Sequence, residues 1–490
     1  MATSALKSPV PHYSSNNHRS KSILMWERLN RYKLLIVLLI AIVARLAILF
    51  AFPSVFAYSN EGAEIHGSVA YDEYALNLLE TGIYGRTAGI PDSVLPPLYS
   101  YVVAAVYGLF GRSYLAIGIL HTLFDVLSIA LLYDISRRLF PKQLIENQTW
   151  GEWMGALAGL FFALYPYLIF QNLTLIDTPL WILLLHLFVW LMILLRERDL
   201  LDRQTLLIAI AGGLVLGVAT LGRALLPPLA ILVALWFLFR LSFKQTLLRL
   251  LPVAIVSVLV LLPWMVRGYQ IYGGFVAVAL NSGENVYQGN NPQTVPYFRA
   301  GYDVQWSSPP DDIPETDDRY IINNALMQAG LRYLRENPDK IPELILVKFQ
   351  VYWNVQVTPL KNLRTGEKLR LSDTGEVLII TDEGSQTGVT DSNSEYEDNS
   401  LFNVIGRNVH ILYFGGLWFL AIIGTWLSRR EWRTISLLWF VQISQTIMYV
   451  IFHPSTRYRA PTDPLLFVFS AYVIVWVMAW WLARISNAEK

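Results

Sequence analysis

The stretch LLIVLLIAIVARLAILFAFPSVF, Leu34 to Phe56, decides the fold class. Arg45 is its one charge, and it exceeds the roughly 18 apolar residues a helix needs to cross a bilayer. In hydrocarbon the backbone must satisfy its own hydrogen bonds, so such a run is a helix. Comparable runs recur near Tyr114–Leu132, Met154–Phe170, Thr178–Leu195, Leu206–Leu221, Leu225–Phe239, Leu250–Val266, Val409–Leu427, Ile435–Phe452 and Leu465–Leu482. The pattern predicts a polytopic α-helical membrane protein with about ten transmembrane helices. A polar stretch from Met1 to about Asn30 precedes the first run, and that run is long enough to span, so no cleaved signal peptide is expected.

Composition agrees. Of 490 residues 54% are hydrophobic and 15% charged, where soluble domains carry roughly 25% charged residues. The 16 Trp and 26 Tyr suit the two bilayer interfaces. A net charge of +1 gives no basis for nucleic-acid binding. The absence of cysteine excludes disulfides, thiolate catalysis and cysteine-ligated metals.

Basic residues set the expected orientation. Lys21, Arg28, Arg31 and Lys33 fall on one side with Arg137, Arg138 and Lys142. Arg196, Arg198, Arg203, Arg240, Lys244 and Arg249 join them, as do Arg429, Arg430, Arg433, Arg484 and Lys490. The alternate short loops hold only Arg86, Arg112, Arg223, Arg457 and Arg459. The positive-inside rule then puts the basic side in the cytoplasm. The expectation is a multi-pass protein of the plasma (inner) membrane with both termini cytoplasmic. Its parts are a disordered cytoplasmic tail (1–33), a transmembrane module (34–266) with a first external loop (57–113), an extracytoplasmic soluble domain (267–408) and C-terminal transmembrane helices (409–490). The soluble part reads as small and mixed α/β, with helices at Asp318–Asn337 and Pro342–Trp353 and a hairpin of Lys368–Leu371 with Val377–Ile380. Thr381 to Ser400 is acidic and Ser/Thr/Asn-rich, and reads as a solvated loop rather than an ion site.

The first external loop holds the sharpest chemistry. In Tyr71-Asp72-Glu73-Tyr74-Ala75-Leu76-Asn77-Leu78-Leu79-Glu80, Ala75, Leu76 and Leu79 share a helical face, so the acids open a short amphipathic helix. Carboxylates there also suit the helix dipole, which is a purely structural reading. A turn, Thr81-Gly82-Ile83-Tyr84-Gly85, follows, then Leu95-Pro96-Pro97-Leu98-Tyr99. The apolar stretch Pro97–Phe110 is too short to span and is expected at the interface or on the bundle.

This order of one span, an acid pair, a Gly-Ile-Tyr-Gly turn, Pro-Pro-Leu-Tyr and a second span resembles the GT-C superfamily of membrane glycosyltransferases. The similar branch contains the protein O-mannosyltransferases and the lipid A aminoarabinose transferases. Further agreeing motifs are Leu221-Gly222-Arg223, Pro263-Trp264-Met265-Val266-Arg267, Asn281 through Pro292, Glu336-Asn337-Pro338 and Arg457-Tyr458-Arg459-Ala460-Pro461. The resemblance covers about Leu34 to Leu482, and the order of motifs with the topology carries it rather than any single motif.

The resemblance implies transfer of a hexose or pentose from a polyprenyl-phosphate carrier to an acceptor hydroxyl outside the cytoplasm, with inversion. It matches Asp72 to the general base, with Glu73 in a supporting or acceptor-binding role. The acceptor class stays open among protein, glycolipid and cell-wall glycan. Arg223, Arg457 and Arg459 are the candidates for the donor phosphate, since a guanidinium fork suits it. Arg267 reads more readily as a span cap or lipid anchor. Asp177 reads equally as the N-cap of a helix with Pro179 just inside it, or as a site acid. Asn290 and Asn291 suit sugar hydroxyls or a plain turn. His453 and Tyr458 complete the second tier. Seven scattered histidines give no metal-ligand spacing. The similar branch implies no required metal, while other GT-C branches use a divalent ion.

Two other classes compete. A transporter or flippase for lipid-linked sugars predicts internal repeats and interrupted spans, and no convincing repeat is seen. A passive scaffold leaves the external acids and arginines without purpose.

Overall fold

The computed structural model describes residues 21–52, 68–145, 148–224, 226–363, 367–381, 386–388 and 401–488. The expected tail at 1–20, the loop at 57–67 and most of the acidic run after Thr381 lie outside the described residues.

Over their described residues the expected spans are mainly helical. In chain order the elements are α1 (Lys21–Ala51), α2 (Ser68–Thr81), α3 (Pro97–Phe110), α4 (Tyr114–Leu139), β1 (Gln143–Ile145), β2 (Gln148–Thr149), α5 (Trp150–Ala163), α6 (Pro166–Gln171), α7 (Thr178–Glu197), α8 (Arg203–Gly222), α9 (Pro227–Leu238) and α10 (Phe243–Tyr272). Then come α11 (Ser282–Gly289), α12 (Thr294–Ala300), α13 (Arg319–Glu336), α14 (Ile341–Tyr352), β3 (Glu367–Leu371), β4 (Val377–Thr381), β5 (Gln386–Gly388), α15 (Leu401–Ser428), α16 (Trp432–Ile451), α17 (Thr456–Arg459) and α18 (Asp463–Ala488). Among the described residues seven helical stretches are long and apolar enough to cross a membrane, one of them, Ile405–Ile451, being α15 and α16 together. Outward faces stay apolar, as Val43, Leu127, Leu259 and Leu412 show, which water would penalise and lipid covers. The protein is a multi-pass helical membrane protein.

Two expectations change. Residues 21–33, assigned to a disordered tail, extend the first helix, whose first residue is Lys21. The apolar run Met154–Phe170 is not one helix, because α5 stops at Ala163 and Pro166 opens α6. Proline has no N–H for the i−4 carbonyl, so the helix ends before it. Arg45 takes the freed carbonyl of Ala163 at 2.9 Å and pairs with Asp125 at 2.6 Å, both fully buried. These two intramembrane charges therefore satisfy each other and a broken helix.

Glycines let the spans approach. A Cβ on Gly213 of α8 would lie 2.6 Å from the Val253 carbonyl oxygen of α10, and one on Gly424 of α15 1.9 Å from that of Phe469 in α18. Such small-residue contacts replace the hydrophobic effect, which lipid cannot supply between helices. Helix α3 lies on the bundle, burying Tyr99, Val103 and Tyr107 while Leu109 and Phe110 stay exposed. The expected hairpin is present, Leu371 opposite Val377, with Gly375 at φ 82° in the turn, and β5 adds a third antiparallel strand. Helices α11 and α12 stand where the sequence suggested only Asn-rich turns.

Candidate active site

The loop before α7 and the end of α8 meet at one end of the bundle. Arg223, the C-cap of α8, forms a fork with Asp177: Nε to Oδ2 at 2.6 Å and Nη2 to Oδ1 at 2.7 Å. Nη2 also donates to Thr178 Oγ1 at 3.0 Å, and the guanidinium lies over Trp181. Asp177 stands at the N-cap position of α7 with Pro179 just inside, but its carboxylate makes no capping hydrogen bond and goes to Arg223 instead. Burial alone would raise the Asp177 carboxyl, but the Arg223 charge outweighs it and holds it below its ordinary value.

The short α17 brings Arg457 into this neighbourhood, where Tyr458, Tyr71, Asp177 and Arg223 act on it electrostatically. Tyr458 stacks on Tyr449 at 4.5 Å, and Tyr71 meets Tyr99 edge-on at 4.8 Å. Arg457 Nε and Arg223 Nη1 are both buried with no hydrogen-bond partner among the described residues. Asp177 is bonded by Arg223 alone, Arg457 has no carboxylate of its own, and both guanidiniums leave donors unused. Burying an unpaired charged donor costs upward of about 1–3 kcal/mol, so the arrangement calls for an anion.

Asp72 is the residue after Tyr71, about 100° further round α2. It is 5% exposed. Its Oδ1 accepts from Tyr107 Oη at 2.7 Å and Arg112 Nε at 3.1 Å, and Arg112 Nη2 holds Oδ2. The Arg112 side chain keeps 43% of its surface exposed. Glu73 points outward to Arg86, at 2.6 Å in an exposed pair. Arg112 and Tyr107 were not among the site residues read from the sequence. Only the fold of α3 against α2 brings them to Asp72.

No protein-family model and no curated protein matches the sequence. Among solved structures, the apo oligosaccharyltransferase of Archaeoglobus fulgidus aligns with TM-score 0.51 at 15% identity, over 94% of this chain and 52% of that one. Its complex with an inhibitory peptide and a dolichol-phosphate gives 0.50 at 15% identity, again over 94% and 52%. The chain shares the fold of that oligosaccharyltransferase over the aligned half. It spans about half the length of that oligosaccharyltransferase. ArnT of Cupriavidus metallidurans bound to undecaprenyl phosphate aligns over 91% of this chain and 77% of that one, at 13% identity and a TM-score of 0.39.

The remaining candidates are held by contacts within the protein. Arg459 is corrected from phosphate ligand to core residue: it pairs with Asp463 at 3.4 Å, donates to the Asn354 carbonyl and lies 3.7 Å over the Phe414 ring. One of its nitrogens, Nη2, is also unpaired, but Asp463 neutralises the charge. Arg267 fastens the first loop, donating to the carbonyls of Asp92 at 2.8 Å and Tyr84 at 2.6 Å. Asn290 donates its amide N–H groups to the Val286 and Ile451 carbonyls, and its Oδ1 accepts from Lys348 Nζ. Asn291 bonds the Tyr287 carbonyl and accepts from Gln293 N–H. Neither asparagine keeps a group for a sugar. His453 sits between Asn285 at 3.1 Å and Asp303 at 3.8 Å, not beside Asp72 or Asp177. Among the described residues no three His, Asp or Glu lie together in a way that would hold a metal ion.

Proposed function

We propose that this protein moves a sugar from a polyprenyl-phosphate donor to an acceptor hydroxyl on the extracytoplasmic face of the plasma membrane, with inversion. The observation that carries the reading is the pair of unused buried donors, Arg457 Nε and Arg223 Nη1. They lie beside Tyr71, whose neighbour in the chain is the buried acid Asp72. A lipid phosphate supplies the missing anion. A fold shared with an oligosaccharyltransferase solved in complex with a dolichol-phosphate adds support for that donor class.

In this reading Arg223 and Arg457 hold the phosphate, and Asp177 fixes the Arg223 fork. The acceptor oxygen attacks the anomeric carbon from the side opposite the phosphate. The bond from that carbon to the phosphate oxygen breaks, and the charge growing on the phosphate meets the two guanidiniums. Asp72 takes the hydroxyl proton once Arg112 swings into solvent. One carboxylate suffices, because direct displacement needs no covalent partner. In this reading the two guanidiniums meet the phosphate charge, and no step is assigned to a metal. The apolar helix faces carry the lipid tail, and the segment from Arg267 to about Asn408 meets the acceptor.

The test uses purified protein in liposomes with a labelled polyprenyl-phosphate sugar and mixed acceptors of protein, glycolipid and glycan. Asp72→Asn is expected to abolish transfer, and Arg457→Gln to lower kcat/KM by about 100-fold or more. Lipid scrambling by the protein that persists in Asp72→Asn, with no transfer by the unaltered chain, would instead establish a flippase. Transfer that is lost in excess chelator and restored by Mg²⁺ or Mn²⁺ would overturn the metal-free step.

A further inference from the structure

The opposite end of the bundle holds a cavity of about 920 Å³, between the ends of α4, α7 and α9 and the start of α16. Arg138, Lys142, Arg196, Arg240 and Arg433 line it, against the acids Glu197 and Glu431. Arg138 is paired with Asp134 and Glu197, and Arg240 with Asp199, which leaves Lys142, Arg196 and Arg433 against Glu431.

Arg196 is the informative member. It is 6% exposed, and its guanidinium lies 3.9 Å over the Trp236 ring. Nη2 donates to the Arg433 carbonyl at 3.2 Å, while Nε is buried with no hydrogen-bond partner among the described residues. Glu197 is taken by Arg138 at 2.6 Å and gives Arg196 no ion pair. Lys142 and Arg433 rest near the Trp150 and Trp432 rings rather than on acids. Positive-inside sorting explains basic residues that reach into water. It does not explain a guanidinium buried without a counter-charge, which is costly unless an anion joins it. The wall continues into Leu139, Ile193 and Phe239, and the adjoining Leu238 and Phe243 are exposed. An apolar rim beside a basic cavity belongs at the depth of lipid headgroups.

We propose that this cavity binds the phosphate group of an anionic membrane lipid, with Arg196 and Arg433 supplying the donors. It is distinct from the site of the proposed transfer. Asp177 precedes α7 and Arg196 lies in its last turn, so the 20 residues of that helix, about 30 Å, separate the two. The bound lipid is a fixed component of the fold, and the proposal stands whether or not the transferase reading holds.

The full chain in phosphatidylcholine nanodiscs, with added phosphatidic acid or inorganic phosphate and native mass spectrometry as the readout, decides it. Phosphatidic acid should be retained about tenfold over phosphatidylcholine, and Arg196→Gln with Arg433→Gln should remove that preference. Melting in phosphatidylcholine alone is measured alongside. Because the substitutions remove a buried unpaired charge, the Tm should hold or rise, whereas a lost preference accompanied by a lower Tm would overturn the proposal. So would retention unchanged in the double variant. Saturation by inorganic phosphate with no preference for phosphatidic acid would also sink it, since the source would be a free anion.

Discussion

Asp177 and Arg223 show how one residue pair supports two functions at once. The fork neutralises a buried arginine yet leaves Nη1 unused. Asp177→Asn would strand the guanidinium and should cost about 3–5 kcal/mol, read as a large fall in Tm in detergent. Replacing both, as Asp177→Leu with Arg223→Met, should recover most of that stability while leaving transfer abolished. A double variant that retains transfer would show that Arg223 does not touch the donor. His453 gives a pH signature. Burial lowers its imidazole below the ordinary value, with Asp303 opposing and Lys348 and Arg457 reinforcing the shift. The folded protein therefore keeps His453 neutral where the unfolded chain binds a proton. Stability should be full above about pH 6.5 and fall as pH drops from there toward the depressed folded value, by at most about 1.4 kcal/mol per unit. Denaturation midpoints in His453→Asn should show a shallower acid slope. At this scale the sequence is informative about which residues are costly, since Arg223 and Arg457 are charges at span ends and Asp72 is an acid in the first external loop. It is silent about partners: Arg112 lies 40 residues from Asp72, and nothing local joins them.

Helices were legible because apolar runs in lipid have one backbone solution, and their interruptions were less so. The stop between α5 and α6 depends on Pro166, which is visible, and on Arg45, which lies 118 residues from the carbonyl it takes. The Asn281–Pro292 stretch hid α11, because its helix is stabilised from outside. Lys348 of α14 bonds Asn290 Oδ1 at 2.8 Å and the Val450 carbonyl at 3.0 Å, tying α11, α14 and the end of α16 together. Gly289 makes that junction tight, since a Cβ there would lie 1.8 Å from the Phe452 carbonyl oxygen. The obstacle is backbone, so no side chain can turn aside. Gly289→Ala should cost about 1–3 kcal/mol and push away the segment that carries Arg457. The expected kinetic result is a higher KM for the lipid donor, with Gly424→Ala as a control that strains α15 against α18 far along the chain. Equal KM effects from the two would show that the junction does not position Arg457.

The whole molecule is organised by the ends of its spans. One end gathers Asp177, Arg223, Arg457 and Tyr71, and the other gathers Arg138, Lys142, Arg196, Arg240 and Arg433. Charge counting along the sequence separates these two sets, because each crossing reverses the side and the structure keeps the members of each set together. What counting cannot supply is compensation. The cluster at the Asp177 end holds a carboxylate for Arg223, while at the other end Arg196 has none. Orientation is the consequence open to direct measurement, and the chain suits it because it has no cysteine. Single cysteines can be placed at Thr374, in the exposed turn of the β3–β4 hairpin, and at Lys244, exposed in the first turn of α10. In intact cells a membrane-impermeant maleimide should label Thr374→Cys and leave Lys244→Cys untouched until the membrane is opened. The reverse pattern would invert the molecule and place Asp72 on the cytoplasmic side. Labelling of both in sealed cells would mean that the two positions share one face, which an odd number of crossings between them forbids. Since α10 is 30 residues long and, among the described residues, is the one apolar span-length helix between the Lys244 turn and the hairpin, the two labels report on a single crossing.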